Sequence, residues 1–206
     1  MKILFLEDRP GRQLQFLPNK EKDVEKIQSF KGLYMPEVSK CKEIIAEINQ
    51  GDYNFSESLL LIIVHKSALD TIGTAYLNKV CQREKIKLVF FSGAISQLIY
   101  NNETFEMLDI NSADFYTKRL IPFMERVTNG QPFHLLEIAN EQWELSYLFM
   151  ARQIIYNLKL EKEDDSIDSM LKKLEQIQKI VNLDFNLNED NFTKLNIIIK
   201  EKILQS

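Results

Sequence analysis

Short apolar runs alternate with amphipathic segments over the first two thirds of the chain. This alternation predicts a parallel β-sheet covered by helices, which is the pattern of an α/β fold. The unbroken apolar run at 59–64 is typical of a central strand that is buried on both faces. The predicted strands, in chain order, are Lys2–Leu6, Gly32–Met35, Leu59–Val64, Lys87–Phe91 and Ala113–Tyr116.

Five helical segments are predicted between and after these strands, because their apolar residues recur every three or four positions. In the segment after the third strand, we expect Ile72, Tyr76 and Val80 to face the core. The segment after the fourth strand is predicted to be a short helix. The predicted helices cover Arg12–Leu17, Val38–Ile48, Ile72–Arg83, Ile95–Tyr100 and Ile121–Val127.

The chain changes character near Asn129–Pro132 and shows no further strand pattern beyond that point. Residues 135–160 are apolar on one side, and His134 just before them is expected at the surface. We therefore predict an α/β domain over residues 1–128 and a helical extension, a hairpin or small bundle, over residues 133–206. A clear apolar stripe at helical spacing in this extension consists of Ile167, Met170, Leu171, Leu174, Ile177 and Val181.

Composition narrows the class of protein. The chain has 206 residues, a net charge of −4 and a pI near 5.4, which argues against a nucleic-acid interface because such interfaces are usually basic. Cys41 and Cys81 are too few and too far apart for a metal cage. The N-terminal apolar run is too short for a signal peptide, and no run is long enough to cross a membrane. We expect a cytoplasmic protein without a membrane or nucleic-acid partner.

Residues that can bind metal ions or phosphoryl groups follow four of the predicted strands. Glu7 and Asp8 follow the first strand, His65 the third and Ser92 the fourth, while Lys118 lies two positions beyond the fifth. The C-terminal ends of the strands in an open α/β sheet converge on one crevice. We therefore predict that these five residues share a site.

This arrangement resembles the receiver domain of bacterial response regulators, the signalling proteins of two-component systems. The residues that carry the resemblance are the acidic pair in Ile3–Asp8, the hydroxyl in Phe90–Gly93 and the lysine in Ala113–Lys118. The resemblance covers about residues 1–128. It implies a flavodoxin-like, doubly wound sheet of five parallel strands.

The resemblance also implies a role for each of these residues. In the family the acidic pair, here Glu7 and Asp8, binds Mg²⁺, and an aspartate at the end of the third strand accepts a phosphoryl group. The lysine, here Lys118, contacts the phosphoryl oxygens. The hydroxyl, here Ser92, reorients together with a nearby aromatic residue, here Phe115. These roles suit the chemistry, because Mg²⁺ prefers oxygen ligands and a lysine offsets the charge of a transferred phosphoryl group.

The acceptor position departs from the family, because His65 stands where the aspartate is expected. Asp70 lies five residues further on, beyond the predicted crevice. Three interpretations of His65 stay open: an inert side chain bonded to Glu7 or Asp8, a pH or ligand sensor, and a phosphoryl acceptor or metal ligand. Beside two carboxylates the pKa of His65 is expected to rise, unless burial outweighs the attraction.

Two lysines complete the predicted charge network. Lys66 is a candidate for a local cation in place of Mg²⁺, and Lys118 for an ion pair with Asp8 or Glu7. Arg119 stands where the family usually has a proline after its lysine.

We therefore predict a phosphorylation-independent regulatory module, not an enzyme, that acts by binding protein. Its C-terminal helices offer a surface for a homodimer, since their apolar stripes need to be buried. No cofactor is predicted, apart from a weak Mg²⁺ site at Glu7 and Asp8. The alternative is a phosphorelay protein or a metal-dependent enzyme that uses His65 with the acidic pair and Lys118. A DNA-binding output domain is a third option, although the tail has no basic recognition helix.

Overall fold

The chain divides into two compact units, Met1–Glu141 and Gln142–Ser206. The computed structural model describes residues 2–9, 11–101, 104–117, 119–139, 156, 157, 159–161, 165, 167–169, 171 and 172. The described positions of the second unit are helical, and Ile167 of the predicted apolar stripe is buried. Most of the stripe lies outside the described residues, namely Met170, Leu174, Ile177 and Val181.

Six strands within the described residues form one sheet. They are β1 (Ile3–Leu6), β2 (Leu33–Tyr34), β3 (Leu61–His65), β4 (Lys87–Ser92), β5 (Ile99–Asn101) and β6 (Met107–Asn111). Their order across the sheet is β2-β1-β3-β4-β6-β5. All neighbours are parallel except β5, which runs antiparallel to β6 at one edge. A mostly parallel sheet with helices confirms the predicted α/β class.

Helices lie on both faces of this sheet. They are α1 (Gly11–Phe16), α2 (Glu21–Gln28), α3 (Val38–Gln50), α4 (Thr71–Glu84), α5 (Ser112–Thr117) and α6 (Leu120–Thr128), with 3-10 turns at Lys66–Ala68 and Leu135–Ile138. Successive residues of a strand point to opposite faces. Leu4 of β1 belongs to a core with Ile44 of α3 and Leu77 of α4, whereas its neighbour Phe5 contacts Phe115 of α5.

The predicted fifth strand is wrong. Residues 113–116 lie in helix α5, and the parallel neighbour of β4 is β6. In β6, Asp109 separates the buried Leu108 and Ile110, so a search for continuous apolar runs misses this strand. Asn111 Oδ1 accepts a hydrogen bond from the amide of Ala113 (2.8 Å) and supports the change from strand to helix.

The predicted helix at Ile95–Tyr100 is also wrong, because β5 occupies the end of this segment. Ile99 pairs with Asp109 of β6. Ahead of β5, Asn111 Nδ2 donates to the carbonyl of Ile95 (2.9 Å) and holds the turn after β4. The sequence of so short an apolar segment is compatible with either structure, and the pairing with β6 decides for the strand.

Two helices depart from the sequence prediction, α2 because it was not predicted and α4 because of the residues it buries. Helix α2 was not predicted, because charged residues dominate it; Asp23 there is buried and accepts a hydrogen bond from the amide of Asn19 (2.9 Å). In α4, Ile72 is wrongly predicted to face the core, since the residue is 63% exposed. Gly73 and Leu77 are the buried residues at the start of this helix.

The loop after β3 is tied to α3 by Asn49. Its Nδ2 donates to the carbonyl of Ala68 (3.3 Å), and its Oδ1 accepts from the amide of Asp70 (3.1 Å). Asp70 Oδ1 accepts in turn from the amide of Gly73 (2.7 Å) and caps α4. A Cβ on Gly73 would lie 2.1 Å from Asn49 Oδ1, so a glycine is needed at this crossing. Asp70 therefore serves as a helix cap.

Candidate functional site

The ends of three neighbouring parallel strands bring four of the predicted site residues to one edge of the sheet. Glu7 and Asp8 follow β1, His65 is the last residue of β3, and Ser92 is the last residue of β4. The register is level across these strands, since Leu6 pairs with Val64 and His65 pairs with the residue before Ser92. These strand ends therefore gather the polar residues at the edge of the sheet where the crevice of an open α/β sheet is expected.

His65 is held by Asp8. Its Nδ1 lies 2.6 Å from Asp8 Oδ1, and its side chain is 1% exposed. A carboxylate only accepts hydrogen bonds, so Nδ1 carries the proton and donates. Asp8 is further placed by the guanidinium of Arg9, whose Nε lies 3.6 Å from Oδ2. Nε2 of His65 is buried without a hydrogen-bond partner among the described residues.

Burial decides the charge of His65. It lowers the pKa of the imidazole below its usual value, although the hydrogen bond to Asp8 acts in the opposite direction. Attraction by Asp8 alone would have raised this pKa. His65 is therefore neutral at neutral pH, which fits a single Nδ1–H donated to Asp8.

Glu7 is enclosed by two donors. Its Oε2 accepts from the hydroxyl of Tyr116 (2.6 Å), and its Oε1 accepts from the amide of Arg9 (2.9 Å). Burial raises the pKa of Glu7, and the hydrogen bond from Tyr116 opposes that rise. Burial also raises the pKa of Tyr116 well above its usual value, so the phenol stays protonated and donates. Sequence reasoning missed this partner, because Tyr116 was placed on a strand instead of α5.

Ser92 is engaged by a second hydroxyl. Its Oγ lies 2.8 Å from Oγ of Ser67, which belongs to the 3-10 turn after β3. The amide of Ala94 also donates to Ser92 Oγ (3.3 Å). The serine therefore links the ends of β3 and β4.

Lys66 has a different partner from the predicted one. It forms an ion pair with Asp109 of β6 and lies 5.3 Å from the ring centroid of Phe90. The expectation that Lys66 would serve as a cation for the acidic pair is therefore wrong. Asp109 Oδ1 is buried without a hydrogen-bond partner among the described residues. The signal that could have found Asp109 is an acid flanked by two apolar strand residues.

The remaining two predicted residues come from the region where the strand prediction failed. Lys118 lies outside the described residues, and the residues before it form α5 instead of a strand. Phe115 is fully buried in α5 and stacks on Phe91 with ring centroids 4.7 Å apart. Its role as a switch residue stays a prediction.

One group of potential metal ligands occurs within this crevice. Glu7, Asp8 and His65 each offer one ligand atom, and these atoms all lie within 4.8 Å of one another. Two carboxylates and an imidazole are a common type of ligand set for divalent metal ions.

A second polar cluster lies at the opposite end of the strands. His134, which was wrongly expected at the surface, is buried; its Nε2 lies 2.8 Å from the Tyr100 hydroxyl and 3.3 Å from Glu106 Oε1. Lys87, the first residue of β4, pairs with Glu106 (2.6 Å) and donates to the carbonyl of Phe133 (2.7 Å). Burial lowers the pKa of His134 to about 4. This cluster fastens the segment after α6 to the sheet.

Comparisons with protein-family models, with curated proteins and with solved structures found no match to this chain. Within the described part of the chain, we find no helix with the length and apolar character that a membrane crossing requires. A function has to be inferred from the geometry of the strand ends.

Proposed function

We propose that residues 1–128 form an atypical receiver-like domain with a flavodoxin-like fold, which regulates a partner by binding protein and is not phosphorylated. The observation that carries this proposal is the hydrogen bond between His65 Nδ1 and Asp8 Oδ1 at the end of β3. It places a buried, neutral imidazole where a phosphorylated receiver would need an accessible carboxylate.

The order of the parallel strands supports the fold part of this proposal. Counted in chain order without β5, the strands β2-β1-β3-β4-β6 follow the 2-1-3-4-5 order of flavodoxin-like sheets. Ligands of such sheets bind where the order reverses, which is between β1 and β3. Glu7, Asp8 and His65 lie at the ends of these two strands.

The burial of His65 supports the absence of phosphorylation. A nucleophile has to reach the phosphoryl donor, and the side chain of His65 is only 1% exposed. Two further acids have structural partners, since Asp70 caps α4 and Asp109 pairs with Lys66. Ser92, the candidate switch hydroxyl, is already engaged by Ser67.

A scaffold without its nucleophile can still act through its surfaces, because function depends on sites and not on the fold alone. Leu135, Leu136 and Ile138 are already buried in the first unit, so the case for a partner rests on the apolar stripe predicted from Ile167 to Val181, and a homodimer is one way to bury it. We therefore propose a protein partner, with a second copy of the chain as the first candidate.

Native mass spectrometry at neutral pH tests whether the protein is phosphorylated. The full chain is incubated with acetyl phosphate and Mg²⁺, and we expect the mass of the unmodified protein. His65→Asp, which restores a carboxylate at the end of β3, is the matched variant; an adduct on this variant alone would assign the loss of phosphorylation to residue 65. A stable phosphoryl adduct on the wild type would overturn the proposal, and its loss in His65→Ala would favour a phosphorelay protein.

Light scattering on the full chain tests the proposed homodimer. A molar mass of two chains, lost on replacing Ile177 by Lys in the apolar stripe, would support it. A single chain mass at high protein concentration would remove the homodimer from the proposal and leave a different protein as the partner.

A further inference from the structure

The residues in the crevice do not fit the Mg²⁺ ion that the receiver resemblance implies. Mg²⁺ requires near-octahedral oxygen ligands at about 2.0–2.1 Å. The position beside Glu7 and Asp8 is occupied by the imidazole of His65, and imidazole nitrogen suits zinc and related transition metals better. The ligand set therefore points to a different class of ion.

We propose that Glu7, Asp8 and His65 together bind one divalent transition-metal ion, of which Zn²⁺ is the best-fitting representative. One ligand atom of each residue lies within 4.8 Å of the others. Two ligands that bind the same tetrahedral ion at about 2.1 Å are about 3.4 Å apart. The longest separation therefore has to shorten by up to about 1.4 Å, which requires the side chains to rotate toward the ion.

Both carboxylates retain capacity for an ion. Each oxygen of Glu7 accepts one hydrogen bond, from Tyr116 or from the Arg9 amide, and a carboxylate oxygen has a second lone pair. The guanidinium of Arg9 lies near Asp8, but the Arg9 side chain is 62% exposed and can withdraw into solvent. Glu7 and His65 are buried, so an ion reaches them only after side chains such as that of Arg9 move.

His65 supplies the selective ligand. Its Nδ1 lies 2.6 Å from Asp8 Oδ1, so the two atoms have to separate by roughly 0.8 Å to bind the same ion. A ligating imidazole nitrogen has to be unprotonated, so the ring proton moves from Nδ1 to Nε2 when the ion binds. The exchange replaces the hydrogen bond from Nδ1 to Asp8 by metal coordination, and no hydrogen bond at Nε2 has to break, because Nε2 is buried and has no partner among the described residues. Metal binding thus has a spectroscopic signature on one residue.

Isothermal titration calorimetry of the full chain with Zn²⁺ and with Mg²⁺ tests the affinity and the ion class. We expect one Zn²⁺ per chain and Mg²⁺ bound at least about tenfold more weakly. Asp8→Asn removes an anionic ligand with little change in shape and is expected to weaken Zn²⁺ binding at least about tenfold. Glu106→Gln, at the other end of the strands, is the matched control and should bind like the wild type. Equal Zn²⁺ affinity in wild type and Asp8→Asn, or no saturable binding by the wild type, would overturn the proposal.

Histidine NMR locates the ion even if Asp8→Asn does not fold. The chain has two histidines, His65 and His134, so their signals are readily told apart by substitution of either one. Zn²⁺ is expected to convert His65 from its Nδ1–H to its Nε2–H tautomer and to leave His134 unchanged. A response of His134 alone, or of neither histidine, would contradict the site. The phosphodonor experiment uses a different readout, so failure of the metal site leaves the regulatory proposal standing.

Discussion

Replacing Tyr116 by phenylalanine tests how the crevice is held together. The change removes one hydroxyl, which donates to Glu7 Oε2 at 2.6 Å, and keeps the aromatic ring. Both residues are buried, with 1% of Tyr116 and 3% of Glu7 exposed, so water cannot replace the lost donor. A buried acceptor left without its donor costs roughly 1–3 kcal/mol. We expect Tyr116→Phe to lower the free energy of unfolding by about 2 kcal/mol.

Urea unfolding followed by circular dichroism measures this loss, and Tyr76→Phe provides the matched control. The hydroxyl of Tyr76 also donates at 2.6 Å, but it does so to the carbonyl of Tyr53 in a partly buried position. A neutral hydrogen bond of this type contributes about 1 kcal/mol, so Tyr76→Phe should cost less than Tyr116→Phe. A loss in Tyr116→Phe that is no larger than the control loss would refute the claim that Glu7 depends on this phenol.

The two remaining stability predictions concern other parts of the fold. Gly73→Ala should lower the free energy of unfolding by about 2 kcal/mol, because the new Cβ displaces Asn49 and its two hydrogen bonds. Urea unfolding checks this change, which should become much smaller in an Asn49→Ala background; an equal loss in both backgrounds would contradict the role of the Asn49 side chain at this crossing. Burial lowers the pKa of His134 from 6.5 to about 4, so protonation of this residue favours the unfolded chain. The free energy of unfolding should therefore be highest above pH 6.5 and should decrease by up to about 3 kcal/mol as the pH falls toward 4, as measured by urea unfolding at a series of pH values. Burial raises the pKa of Glu137 and opposes this trend, so the pH profile is compared with that of His134→Gln, which retains Glu137; parallel profiles would show that His134 does not titrate as proposed.

The buried centre of the sheet was predictable because its strands are continuous apolar runs. Residues of β1, β3 and β4 are buried on both faces, so nearly every position carries an apolar side chain. The next parallel strand escaped prediction because Asp109 interrupts it, and the buried aromatic residues of α5 imitate a strand. The structure distinguishes the two by the pairing of β6 with β4, which is a long-range property.

The composition of the crevice was only partly accessible from the sequence. The strand ends indicated Glu7, Asp8, His65 and Ser92, because residues at the ends of parallel strands share an edge. The partners of these residues come from other elements; Tyr116 reaches Glu7 from α5, and no local pattern reports that contact. The charge of His65 also depends on burial, which outweighs the attraction of Asp8.

The tautomer and charge of His65 in the metal-free protein test the central claim most directly. Long-range proton–nitrogen NMR at neutral pH, in the presence of a chelator, reports both properties, and His65→Asn identifies the signal. The hydrogen bond to Asp8 predicts a neutral ring with its proton on Nδ1. A proton on Nε2 alone, or a doubly protonated ring, would contradict an acceptor position that is closed by a neutral histidine.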